Sequence, residues 1–299
     1  GGRAGWNVVT TADAGSARAF GQETVPDHAT RYRRAGEFTG IVKALWNSWQ
    51  DDALIADPAS GRFVDTRRLH PVAHRGEFFR VDGVLNQPRS PQGHPVLLQA
   101  GGSADGQALA ARHAEAVFSA SQSFDEAVAY AQGLKRAAQA LGRDPNGIKV
   151  FPGLGTFVGG TEAEARRKHR ELIELVPPEH ALRRLAGRLG VPPDLLDLDK
   201  PLPQDLPLPD GGNGGHTFFH AILARSRLHH YTLRELLAEM AGGGGHREIV
   251  GTPEQIADDI EHWFKGGAAD GFNLMPGLLP SGLQDFVDGV VPILQKRGL

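Results

Sequence analysis

Cysteine is absent from the 299 residues. That excludes disulfides, thiolate metal sites and cysteine nucleophiles, and it fits a cytoplasmic location without requiring one. A large excess of charge of one sign is missing too. The 32 Lys and Arg against 35 Asp and Glu leave a formal net charge of −3, so there is no basic footprint for nucleic acid. No apolar run approaches the roughly 20 residues of a membrane-spanning helix. Neither nucleic acid nor membrane is expected as a partner. Methionine occurs only as Met240 and Met275, and residue 1 is glycine. The chain opens inside a strand-like run, Arg3 to Val9, and the expectation is that part of a longer protein precedes it. What is present is an ordinary globular composition, 40% hydrophobic and 22% charged, at a length that suits one large domain or two small ones.

Short apolar runs alternate with amphipathic ones. Strands are predicted near residues 4–9, 95–100, 115–119, 148–158 and 271–275. Asp27 is placed to cap a long helix from His28 to about Trp49, with Tyr32, Ala35, Phe38, Ile41, Val42 and Leu45 at helical spacing. Further helices are predicted at Gln107–His113, Ser123–Leu141, Thr161–Val176, Glu179–Leu189, Phe218–Leu228, Leu233–Ala241, after Thr252, and at Leu283–Lys296. The spacings Ser123/Glu126, Thr161/Glu164 and Thr252/Gln255 predict capping boxes. Residues 16–26 read as loop. Residues 50–94 read as an irregular insertion with one hairpin, Phe78 to Val84. A second insertion, 177–215, is rich in Pro, Leu and Asp, and Gly242–Gly245 read as a flexible loop.

This alternation implies parallel strands joined by right-handed crossovers. Five strands suit either an open α/β sheet or strands 4–8 of a (β/α)8 barrel. The start inside a strand favours the barrel, as a single domain over residues 1–299.

One stretch draws the rest together. Val96-Leu97-Leu98-Gln99 reads as a buried strand, Gly101-Gly102 breaks it, and Ser103 opens an alanine-rich helix. A strand, a glycine turn and a helix N-terminus can make an anion site from backbone N–H groups and the helix dipole. The same residues also suit a plain turn with Ser103 as N-cap, and both readings stay open. Asn7, Thr10 and Thr11 follow the first strand; they suit either ligand hydrogen bonds or turn chemistry. Gly153-Leu154-Gly155 with Gly159 has the wrong spacing for a dinucleotide fingerprint and lies within a strand, which points to close backbone approach or a bulge. His216, His220, His229 and His230 lack the H-E-x-x-H pattern and read as structural or surface residues. His246, after four glycines, reads either as a loop histidine that could shuttle a proton or contact an anion, or as a solvated loop residue. Trp46 and Trp263 read as packing residues.

Several blocks in order resemble one known family. They are Gly2-Arg3-Ala4-Gly5-Trp6-Asn7-Val8-Val9-Thr10-Thr11, His28-Ala29-Thr30-Arg31-Tyr32, Leu45-Trp46-Asn47-Ser48-Trp49-Gln50-Asp51-Asp52-Ala53, Leu85 to Gly93, Gln99-Ala100-Gly101-Gly102-Ser103, Gly251 to Asp258 and Asp270 to Met275. On these the chain is similar to the nitrilotriacetate monooxygenase component A type of the bacterial luciferase-like flavin monooxygenases. Relatives of that type act on EDTA, dibenzothiophene sulfone and long-chain alkanes.

The resemblance implies a (β/α)8 barrel and a two-component monooxygenase that uses FMN, as FMNH2, with O2. A separate NAD(P)H:flavin reductase would supply the reduced flavin. The resemblance implies cofactor-binding roles for Asn7, Thr10, Thr11, Tyr32, Gln99, Ala100, Gly101, Gly102 and Ser103. Tyr32, Ser103 and the Gly101-Gly102 backbone would take the phosphate, while Asn7, Thr10 and Thr11 would line the flavin cleft. It also implies a small organic substrate and a dimer or tetramer. Thr11 stands where the family usually has Ser, and Ala12 where some members have His or Tyr, so no catalytic acid or base is assigned. Two other outcomes fit the residues: a flavin or deazaflavin oxidoreductase of the same fold, or a non-catalytic flavin-binding fragment.

Overall fold

The computed structural model describes residues 2–175, 177–203, 205–206, 226, 230–240 and 246–299. The chain divides into two compact units, Gly1–Val117 and Phe118–Leu299.

In the first unit, β1 (Gly5–Asn7) lies parallel to β6 (Val96–Gln99), with Asn7 opposite Leu98. On its other edge β6 pairs with the start of β7 (Ala116–Ser119). α1 (Ala14–Ala19) and α2 (His28–Trp46) follow β1, and α3 (Ala104–His113) follows β6. Val8, Leu97 and Leu109 form the core, with Trp6, Tyr32, Ala35 and Trp46 packed on it. Trp46 is thus a packing residue, as its spacing predicts. α2 begins where Asp27 accepts a hydrogen bond from the Thr30 amide at 2.9 Å. It stops three residues before Trp49, whose indole N–H donates to the Leu85 carbonyl at 2.6 Å instead.

The expected loop after Ser16 is partly helical. Asp13 accepts from the Ser16 amide at 2.6 Å and starts α1. The insertion holds two antiparallel hairpins rather than one: β2 (Leu54–Asp57) with β3 (Arg62–Val64), and β4 (Val72–Arg75) with β5 (Arg80–Gly83). Phe78 and Phe79, expected in a strand, lie in the turn. Their amides donate to the Glu37 carboxylate of α2 at 3.0 and 2.9 Å, and His74 reaches the same carboxylate. A tertiary carboxylate outcompetes the aromatic strand preference here.

The second unit runs α4 (Phe124–Ala140), β8 (Lys149–Val158), α5 (Glu162–Glu174), α6 (Pro178–Leu189), α7 (Leu233–Met240), β9 (Arg247–Gly251), α8 (Pro253–Lys265) and β10 (Asn273–Leu274). A helical run over residues 281–296 ends it. β8 pairs in parallel with both β9 and β10. Leu154 and Val158 pack on Ile256, Ala257, Ile260, Phe286 and Val290. α6 and α7 share a separate leucine core, including Leu185, Leu189, Leu233 and Leu236. Trp263 is buried beside Ala127 and Ala268, as expected of a packing residue.

β9 adds a sixth parallel strand, among the described residues, to the five expected. Its sequence, Arg-Glu-Ile-Val-Gly, is too short and too charged to read as one. Both charges are met by neighbours: Arg247 lies 3.9 Å over the Trp263 ring and pairs with Asp259, and Glu248 meets His169 at 3.1 Å. Of the three expected capping boxes, only Thr252/Gln255 is reciprocal. At the other two, Ser123 and Thr161 cap their helices, but Glu126 and Glu164 reach one residue further back, to the amides of Gln122 and Gly160. The predicted helix Phe218–Leu228 apart from Ser226, the loop Gly242–Gly245, and His216, His220 and His229 lie outside the described residues.

Candidate functional site

The site builds up from the ends of β1 and β6. Parallel pairing sets the two strand exits side by side, and the Val8 amide donates to the Leu98 carbonyl at 2.8 Å. β6 then leaves the sheet through Ala100, Gly101 and Gly102. Ser103 accepts from the Gly106 amide at 3.1 Å and caps α3. The cap uses an acceptor lone pair of the hydroxyl and leaves its O–H to donate. The plain-turn reading of Ser103 is therefore correct, and it does not compete with an anion-binding role.

Gly101 is where the backbone must be bare. A Cβ added there would sit 2.5 Å from Gln99 Nε2, 2.9 Å from the Tyr32 hydroxyl and 3.0 Å from Gly106 Cα. The turn is thus flanked by a phenol, a primary amide and a helix N-terminus. Gln99 is 3% exposed, and its Oε1 is buried without a hydrogen-bond partner. A buried acceptor left unmet costs about 1–3 kcal/mol, which marks this as a place where a donor belongs. Ala100 and Gly102 are exposed at the lip of the turn.

One further contact braces α2 against α3: His28 Nδ1 lies 2.9 Å from Asp105 Oδ2. Within α2 the same ring packs on Tyr32, with centroids 4.7 Å apart. The result is that Tyr32 faces the glycine turn.

Asn7, Thr10 and Thr11 line a neighbouring cleft of about 590 Å³ whose walls include Trp6, Phe20, Phe38 and Phe79. The residue that shapes it was not singled out by the sequence. Arg31, 8% exposed, donates from Nη1 to the carbonyls of Thr10 at 3.0 Å and Thr11 at 3.3 Å, and it lines the same cleft. The motif His28-Ala29-Thr30-Arg31-Tyr32 held the signal. A basic residue beside the tyrosine, on a helix that follows the strand, can turn back onto the strand exit.

The bare glycine, the Tyr32 and Ser103 hydroxyls and the start of α3 fit the phosphate end of FMN, the Gln99 acceptor fits a ligand hydroxyl, and the aromatic cleft fits a planar ring. In the second unit His246 stacks on Phe118, with centroids 4.8 Å apart, and lies against Gly153, a packed setting rather than the open loop expected of it. Gly155 likewise admits Glu248, whose Cγ would be 2.9 Å from an added Cβ. Close backbone approach, not a dinucleotide, explains Gly153 and Gly155. No cluster of His, Asp or Glu among the described residues could hold a metal ion, and no described helix is long and apolar enough to cross a membrane.

These features define an α/β protein with a glycine turn at a helix N-terminus beside an aromatic cleft. The chain belongs to the luciferase-like monooxygenase family, whose model matches residues 1–270. It is 44% identical over 302 residues to N-acetyl-S-(2-succino)cysteine monooxygenase of Bacillus subtilis (strain 168), covering 100% of this chain and 67% of that protein. Nitrilotriacetate monooxygenase component A of Aminobacter aminovorans is 44% identical over 299 residues, covering 100% of this chain and 65% of the relative. The crystal structure of riboflavin lyase RcaE, with modified FMN and the substrate riboflavin, superposes with a TM-score of 0.84 at 33% identity, over 99% of this chain and 64% of that one. The chain thus spans about two thirds of the length of the curated relatives it matches.

Proposed function

We propose that this chain carries the flavin-phosphate anchor of a two-component monooxygenase, which oxidises a small organic substrate with FMNH2 and O2. The observation that carries the reading is the bare Gly101 backbone, set between Tyr32, Gln99 and the capped start of α3. Relatives named as monooxygenases, one of them a component A, and a relative crystallised with modified FMN support it.

Tyr32 and Ser103 would donate their hydroxyl protons to the phosphate, and the α3 dipole would favour its charge. Gln99 Oε1 would accept from a ribityl hydroxyl. Asn7, Thr10 and Thr11 would border the ring, with Ala100 and Gly102 forming the lip of the anchor. Bound reduced flavin supplies the electrons for placing one oxygen atom of O2 in the substrate and the other in water. The protein's share is binding, orientation and exclusion of bulk water. A separate NAD(P)H:flavin reductase would deliver the FMNH2. In this reading β1, β6, β7, β8 and β10 are strands 4–8 of a (β/α)8 barrel, and the protein works in the cytoplasm as a dimer or tetramer.

Fluorescence titration with FMN, followed by oxygen uptake with a flavin reductase, tests the proposal. Saturable binding that Tyr32→Phe weakens for FMN but not for riboflavin is expected. Absence of saturable binding, or equal affinity for FMN and riboflavin, would overturn the phosphate-anchor reading.

A further inference from the structure

We propose that the apolar stripe Leu279, Leu283 and Val287, on the closing helical run of the second unit, is a two-fold interface whose occupant is a second copy of this chain, packed antiparallel. The inference rests on the dimer-or-tetramer part of the reading above and is independent of the flavin.

The run over residues 281–296 already has one apolar face, and the fold uses it. Phe286 and Val290 are buried in one core with Leu154, Val158 and Ile260, and Ile293 and Leu294 pack beside them. The opposite face of such a helix is ordinarily polar. Here it is not. The Gly282 amide donates to the Leu278 carbonyl at 3.0 Å, which winds residues 278–281 into the start of the run. Leu279, Leu283 and Val287 then recur four apart, as neighbours on one helical face do. Leu279 is 72% exposed, Leu283 40% and Val287 46%, with Leu278 beside them at 41%. A single exposed leucine needs no explanation, whereas a contiguous apolar patch of roughly 300–400 Å² does.

The charges at its border favour a second copy as the cover. Lys168 of α5 holds Asp285 at 2.9 Å, and the Asp288 carboxylate accepts from the Gln284 side-chain amide at 2.6 Å. Both carboxylates are engaged within the chain, which leaves the stripe little to offer an oppositely charged partner. A parallel copy would set Asp285 and Asp288 against themselves, and like charge opposes that. An antiparallel copy centred on Leu283 sets Leu283 on Leu283 and Leu279 on Val287. Asp285 then faces Ser281, and Asp288 faces Leu278 at the rim. The stripe is thus complementary to itself about a two-fold axis, the isologous geometry that closes as a dimer. Two such faces with an ordinary polar rim bury about 1,000 Å² in total, the lower end for a specific interface. A dissociation constant in the micromolar range follows.

Sedimentation velocity of the wild type over a concentration series tests this and should show a monomer–dimer equilibrium. Leu279→Glu and Leu283→Glu should each weaken the dimer about tenfold or more, since a carboxylate enters the centre of the interface from both copies. Leu141→Glu, at a comparably exposed leucine of the same unit, should leave it unchanged. Adding Val287→Lys to Leu279→Glu should restore it, because the two positions meet across the axis. The chain has no cysteine, so under mild oxidation Leu283→Cys should cross-link to a covalent dimer while Leu141→Cys stays monomeric. If a glutamate variant does not fold, as judged by circular dichroism, the cross-linking pair decides the matter. A wild type that stays monomeric overturns this inference and the dimer-or-tetramer reading together. A dimer that neither glutamate variant weakens overturns this inference alone. Failure of the Val287→Lys rescue, or equal cross-linking at Leu141→Cys, overturns the antiparallel pairing.

Discussion

The turn Gln99–Gly106 in the first unit and the stretch Gly153–Gly155 in the second both put paired glycines on a parallel strand or at its exit. Both need a bare backbone, and the groups that use the bareness differ. At Gly153 and Gly155 the space is taken by the chain itself, through His246 and the Glu248 side chain. At Gly101 it is bordered by a tyrosine hydroxyl, a glutamine amide and the start of a helix. There the Gln99 acceptor is buried and unmet. A glycine pair therefore says only that something comes close. Glu248 Oε1 beside Gly155 is likewise buried and unmet, so the difference lies in the kind of polar group at the gap: hydroxyl and amide groups at Gly101, a carboxylate at Gly155.

Alanine at each place is the sharpest way to break the comparison. In Gly101→Ala the new methyl would displace Gln99 Nε2 and the Tyr32 hydroxyl and press on the Gly106 backbone. FMN affinity should fall about thirtyfold or more, the worth of one or two hydrogen bonds to a charged group. In Gly155→Ala the methyl meets Glu248 Cγ at 2.9 Å. The expected cost is about 1–3 kcal/mol of stability, as for other overpacked interiors, with FMN affinity unchanged. Titration and thermal melting of both variants check the pair. A flavin-binding loss in Gly155→Ala equal to that in Gly101→Ala would erase the distinction.

The helix caps allow a gentler contrast. Ser103→Ala and Thr252→Ala each remove a side-chain oxygen that caps a first turn. Each should cost about 1 kcal/mol. Only Ser103→Ala should also weaken FMN, by about five- to tenfold for one hydroxyl donor lost, and riboflavin should be unaffected. If the two variants differ in neither stability nor FMN affinity, Ser103 is a cap and nothing more.

Much of this was legible in the sequence because it rests on local chemistry. Ser103, Asp27 and Thr252 cap as their spacing predicts, since an N-cap needs only its own turn. The strands through Leu97 and Leu154 announce themselves by apolar content. β9 did not, because Arg247 and Glu248 are satisfied by Trp263, Asp259 and His169, residues remote in sequence. The β4–β5 hairpin was displaced for the same reason: Glu37 claims the Phe78 and Phe79 amides from another element. At the site, the glycine turn and Tyr32 could be read from motifs. Arg31 lies in the same motif as Tyr32, but its contacts could not be read there, because they are to backbone carbonyls, which carry no residue signature.

The smallest expected effect concerns the wall of the cleft rather than its floor, and it again separates the two ends of the flavin. Burial works to raise the Glu37 carboxyl pKa, but hydrogen bonds from His74 and the Phe78 and Phe79 amides outweigh it and hold the pKa below its ordinary value. A carboxyl depressed in the folded state contributes stability above its unfolded pKa and loses it as pH falls through the folded one. Acid should therefore loosen the Phe78–Phe79 turn, and with it the Phe79 wall, while the Gly101 turn keeps its shape. In Glu37→Gln the amide oxygen still accepts but the charge is gone, so the acid-dependent part of the transition should flatten. Melting temperature against pH for the wild type and Glu37→Gln tests this, with superimposable acid limbs as the contrary result. Riboflavin, which depends on the walls, should respond to Glu37→Gln in the same proportion as FMN, whereas Ser103→Ala should affect FMN alone.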